Sequence, residues 1–217
     1  MRRPRVIAFV LAASLAGGLL PASPASAHAL PVYIRDSGLD PMEQVVDMGH
    51  GSMWTNLGLM PRRVVEDTFG LFESPTLFQD DSFTYDVAAA GSFPYRAEFP
   101  LGAIGRLDGT LTVRPVFGTG FTSRGFQIVW GLAGHVPDGL AFQAQLGVFR
   151  QLHEHRVGGW RWLARGTRAA SGWMPFSCDG RGRSVRVRSR LADGTVSGWA
   201  ESTGIVCVDH VPRTAYP

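Results

Sequence analysis

What most narrows the fold of this chain is the rhythm of its apolar residues. Downstream of His28, short segments alternate apolar and polar side chains, and Gly, Pro, Asp and Asn interrupt them about every eight to twelve residues. Convincing three- and four-residue helical spacing is absent. Strand side chains change face at every residue, so this pattern predicts an all-β chain of sandwich type. The first half offers strands at Pro31–Ile34, Glu43–Met48, Ser52–Asn56, Arg63–Asp67, Ser82–Val87, Gly91–Ala97 and Gly109–Arg114. The second half offers Gly125–Leu132, Ala141–Phe149, Trp160–Ala164, Gly172–Phe176, Ser184–Leu191 and Gly198–Val208. Between them Pro115–Gly125 is Gly-rich and lacks alternation, as a linker would. The expected layout is two β-sandwich domains, 28–115 and 125–217, joined by a linker at 116–124.

Residues 1–27 read differently. Arg2, Arg3 and Arg5 precede an apolar run from Val6 to Leu20, and a small-residue stretch ends at Ala27. A basic start, short apolar core and A-x-A exit predict a secretory signal peptide. The run is about fifteen residues, below the ~20 that span a bilayer as a helix, so a stable membrane anchor is not expected. The chain is expected to be secreted, with cleavage after Ala27, or alternatively after Ala29.

Three of the basic residues fall in that leader, which leaves basic and acidic side chains balanced downstream and gives no reason to expect nucleic acid as a partner. The halves differ in sign: 28–115 holds six Arg against twelve Asp and Glu, and 116–217 holds twelve Arg against six. Opposite signs suit two domains that attract each other or face different partners. The two cysteines, Cys178 and Cys207, both lie in the basic half, and a lone pair in an oxidising compartment is expected to form a disulfide.

The first half carries a specific resemblance. VYIRDSGLDP (Val32–Pro41), VVDMGHGSMWTNLG (Val45–Gly58), PRRVVEDTFGLFESPTL (Pro61–Leu77), DDSFTYDVAAAGSFPYRAEFP (Asp80–Pro100) and LDGTLTVRP (Leu107–Pro115) follow one another as the successive strands and turns of cupredoxins do. Residues 31–115 thus resemble a plastocyanin-like cupredoxin, which implies a Greek-key sandwich. The same register implies that the copper ligands are gone. Blue copper takes two His, a Cys thiolate and a weak axial Met. Arg62 stands where the resemblance places the first His, Ala97 where it places the Cys, and Leu107 at or near the Met. Alanine has no donor, and arginine stays cationic near neutral pH.

The second half is similar to a fibronectin type III module. It is so in GFQIVWGLAGHVPDGLAFQAQLGVFR (Gly125–Arg150), in GGWRWLARGTRAASGWMPF (Gly158–Phe176) and above all in SVRVRSRLADGTVSGWAES (Ser184–Ser202). That resemblance implies a binding or spacer role. Within Ser184–Leu191, Arg186, Arg188 and Arg190 share one strand face, with Trp160, Trp162 and Trp199 as possible stacking partners. A solvated face is the plain reading of such a row, and an anion- or glycan-binding ladder the sharper one.

Metal binding is a second line. Met48, His50 and Met53 form a soft set suited to copper, and His153 with His155 sits at chelating spacing in a hairpin loop. Against this, Met in a β core ordinarily packs, and isolated loop His are ordinarily solvated. His28, as a mature N-terminus, would add an amine and an imidazole but needs a partner His. No nucleophile elbow, zinc-protease helix or phosphate loop is present. The carboxylate pairs Glu66-Asp67 and Asp80-Asp81 read as structural. The expectation is therefore a secreted, non-catalytic binding or structural module without a cofactor, facing an extracellular protein or glycan. Copper binding or electron transfer through non-standard ligands is the alternative.

Overall fold

In the computed structural model the described residues are 28–100, 102–118, 125–149, 159–175, 181–202, 204–208 and 211–214. Their regular structure is entirely β. The first half supplies β1 (Ala29–Arg35), β2 (Gly38–Asp40), β3 (Glu43–Asp47), β4 (Gly51–Asn56), β5 (Arg63–Glu66), β6 (Ser82–Asp86), β7 (Gly91–Phe99) and β8 (Gly102–Arg114). They form two four-stranded sheets, ordered β2-β1-β4-β6 and β3-β8-β7-β5. Two pairings are parallel, β1 with β4 and β3 with β8, so the chain crosses between the sheets instead of meandering within one.

The sheets close on each other because alternate residues are apolar. Val32 and Ile34 of β1, Trp54 of β4, Phe93, Tyr95 and Ala97 of β7, and Leu111 and Val113 of β8 are essentially inaccessible to solvent. Trp54 bridges the layers, its ring edge-on to Tyr95 at 5.4 Å and tilted against Phe72 at 5.0 Å. Tyr95 can lie flat only because residue 109 lacks a Cβ: one there would stand 2.5 Å from Tyr95 Cζ and 2.8 Å from Leu39 Cδ1.

The second half supplies β9 (Val116–Phe117), β10 (Gly125–Val129), β11 (Ala141–Phe149), β12 (Trp160–Thr167), β13 (Ser171–Pro175), β14 (Gly182–Arg190), β15 (Ala200–Glu201), β16 (Ile205–Val208) and β17 (Val211–Thr214). Its sheets run β13-β10-β9 and β12-β11-β14-β16-β17, with β15 also on β14. Phe126, Ile128 and Met174 from the first pack with Phe142, Leu146, Val185 and Val187 from the second. Two expectations are refined. Val116 and Phe117, assigned to the linker, pair with β10, and Gly198–Val208 is two short strands interrupted before Ile205.

The halves meet through main chain. Ala90 N–H donates to Trp130 O at 2.8 Å, Leu132 N–H to Ala88 O at 3.0 Å, and Ser92 and Gly198 exchange both bonds at 3.0 Å. Ser189 Oγ donates to Ala90 O at 2.8 Å. Buried residues of both halves form one apolar cluster.

Burial raises the Tyr95 phenol, opposed in part by the neighbouring Trp54 N–H, although neither atom makes a full hydrogen bond. Burial likewise pushes Tyr85 up to about 12. The folded protein therefore holds both phenolic protons more tightly than the unfolded chain, whose tyrosines titrate near the ordinary ~10. This stabilisation is complete below about pH 10 and is lost as pH rises toward about 12. Alkaline titration followed by phenolate absorbance and circular dichroism is expected to show two late tyrosines that ionise together with loss of structure.

Candidate functional site

Three regions gather the residues singled out by the sequence. At one end of the first sandwich, the positions matched to copper ligands do converge. Ala97 lies opposite Leu107 across β7–β8 and opposite Val64 across β7–β5. Arg62, two residues before Val64, shares its inward face. Ala97 is fully buried and Arg62 is 5% exposed. The Arg62 guanidinium donates from Nη1 to the carbonyl of Gly105. Its Nε has no hydrogen-bond partner among the described residues.

These residues do not fit a blue-copper centre. Ala97 and Leu107 supply no donor, and a buried guanidinium beside them repels a second cation. On the outer face of the same sheet, charges alternate from strand to strand. Glu98 is held by Arg63 at 2.8 Å and Arg96 at 2.6 Å, and Arg106 reaches Asp67 at 3.0 Å. Bonds from Arg63 and then Arg96 hold the Glu98 carboxyl below its ordinary value. The two carboxylate pairs, read from the sequence as structural, have local partners. Buried Glu66 accepts from the Thr68 and Phe69 N–H groups, and Asp81 Oδ2 accepts from Phe78 N–H.

At the other end the Met48, His50 and Met53 set does not assemble. Met48 is part of the apolar core. In β4 the inward residues are Ser52, Trp54 and Asn56, so Met53 points to the opposite face. His50 sits beside His28 instead, because the parallel register pairs Ala29 with Gly51. Their ring centroids are 6.5 Å apart. Sequence reading could not find this neighbour, since parallel pairing of β1 with β4 is a tertiary fact.

The third region is the outer face of β12, β11 and β14. Arg186 Cζ lies 4.4 Å from the Trp160 ring centre and 4.6 Å from that of Trp199. Arg188 lies 4.6 Å from Trp199. Trp160, Arg186, Trp199 and Arg188 are thus interleaved. Trp162 extends the array against Trp199 at 6.2 Å and meets Arg165 at 5.4 Å. Below it, Gln145 accepts from Arg186 Nε and Gln143 from Arg188 Nε, each at 2.8 Å. Arg190 continues the row opposite Ala141. Burial first, then Arg188, lowers the Arg186 pKa, while burial raises that of Glu201 across the strand pair. The glutamines, absent from the sequence reading, were legible only as polar positions opposite the arginines.

Cys178, His153 and His155 lie outside the described residues. Cys207 is placed by its backbone, opposite Pro212 in β16–β17.

No family model matches the chain, and no curated protein matches it. The solved structures it resembles include cupredoxins. A purple cupredoxin from Nitrosopumilus maritimus is 21% identical, with 38% of this chain and 97% of that one covered at a TM-score of 0.34. A reduced tryptophan-to-tyrosine mutant of amicyanin is 18% identical, covering 42% and 87% at 0.35. A mutant fern plastocyanin is 20% identical, covering 39% and 100% at 0.34. At these scores the likeness carries no functional conclusion.

The Trp/Arg array makes its own prediction. Arg186→Ala removes two ring contacts and the bond to Gln145, and is expected to cost roughly 1–2 kcal/mol. Arg186→Lys keeps charge but not the flat stack, and is expected to recover only part of it. Denaturant unfolding followed by tryptophan fluorescence measures both.

Proposed function

We propose that this chain is an exported, non-catalytic binding module. Its first half is a cupredoxin-like sandwich kept as a scaffold after loss of the metal ligands. Its second half is a fibronectin type III-like sandwich that presents the contact surface. The observation that supports this best is the interleaved array of Trp160, Arg186, Trp199 and Arg188. Flat aromatic rings and guanidinium groups, fixed in place by one another and by Gln143 and Gln145, lose little conformational entropy on binding. Trp162 leaves 38% of its surface exposed at the edge of the array.

Ring faces with intervening cations suit an acidic glycan, whose sugar faces pack on indoles and whose carboxylates or sulfates pair with Arg. An extracellular protein with an acidic surface is the competing partner. Electron transfer through the original copper pole has no support in the donor set at Arg62, Ala97 and Leu107.

Calorimetric titration of the mature protein with acidic and neutral polysaccharides tests this. Binding to the acidic polymers is expected, weakened by salt and by the pair Trp162→Ala and Arg188→Ala, with neutral polymers inert. Binding indifferent to both substitutions removes the array from the reading. Turnover of any polymer by the pure protein overturns the non-catalytic assignment.

A further inference from the structure

Two histidines, His28 and His50, stand together at the end of the first sandwich opposite Arg62. The parallel pairing of Ala29 with Gly51, extended by one residue, sets His28 beside His50. Gly51 N–H donates to His28 O at 3.3 Å, and His50 N–H donates to Asp47 O at 3.0 Å, so both backbones are tied to the same edge. The ring centroids are 6.5 Å apart with planes 28° from parallel. That is too far for the rings to touch. It is close to the span of two imidazoles around one ion, each binding at about 2.0–2.1 Å through a ring nitrogen.

A second observation comes from His50 itself. Its Nδ1 is shielded from solvent and has no hydrogen-bond partner among the described residues. A buried ring nitrogen without a partner is costly unless a proton donor or a metal satisfies it. His28, by contrast, is exposed.

We propose that signal cleavage after Ala27 creates a copper site at this end of the sandwich. The free α-amine and the imidazole of His28 close a chelate ring on the ion, and the His50 imidazole supplies a third nitrogen. Three nitrogen donors of this kind favour Cu(II) over the other common divalent metals by the Irving–Williams order. The site uses neither Met48, which is packed in the core, nor Met53, which faces away. It rests on the export reading above but not on the Trp/Arg array.

The test uses protein purified from the medium after export, with intact mass fixing its first residue. Cu(II) alone is the probe, followed by calorimetry and paramagnetic resonance. The expected result is a chain starting at His28 that binds one Cu(II), with nitrogen couplings and no intense blue band. Affinity is expected to fall roughly tenfold or more in His50→Gln, and by a similar factor in His28→Ala, which leaves the α-amine without its chelating imidazole. His28 is exposed at the start of the folded body, so that variant separates loss of the site from loss of the fold. A mature chain that starts elsewhere overturns the proposal through its processing step. A chain that starts at His28 but takes up no stoichiometric Cu(II), or keeps full affinity in either variant, overturns the site itself.

Discussion

The main-chain seam at Ala88–Ser92 is the contact on which the two-sandwich arrangement depends. Ala89 and Ala90 have no accessible surface, and their short side chains let the backbones of the two halves approach to hydrogen-bonding distance. Gly91 is tight for the same reason, since a Cβ there would collide with the Ser197 hydroxyl. Beside the seam Trp130 is buried, its indole N–H bonded to Ala169 O at 2.7 Å. The opposite charges of the halves do not make this contact. Its named bonds are neutral, and ion pairs such as Arg63–Glu98 and Arg168–Asp138 join residues within one half. Neutral bonds buried with apolar surface are less sensitive to salt than surface charge pairs, which are screened within about 10 Å at 0.1 M.

Much of this architecture was legible because a strand with one buried face writes a period of two into the sequence. The expected strand at Ala141–Phe149 matches β11, and most of the others fall within a residue or two of theirs. β2, β9 and β17 were not seen, because two to four residues hold too little of a period to stand out. β9 is instructive, since Val116 and Phe117 look like linker until β10 lies alongside and Phe117 meets Phe126 edge-on at 5.0 Å. Such strands exist through pairing, and pairing is tertiary.

The same distinction governs the sites. The arginine row followed from alternation alone, whereas its interleaving with Trp160 and Trp199 needed the register of three strands. Met48, His50 and Met53 show the converse. Neighbours in sequence were separated by a turn and by the pleat, while His28 and His50, twenty-two positions apart, were brought together by a parallel ladder.

The end of the first sandwich that holds Arg62 adds a last physical point. The Arg62 side chain is buried there, its charge answered by the Gly105 carbonyl and its backbone paired with Leu77. A cation of the chain's own thus links the segment before β5 to β8. The solution is costly in one respect, since the guanidinium Nε is buried without a partner. That cost is set against the bond to Gly105, which ties two distant segments of the chain together at that end.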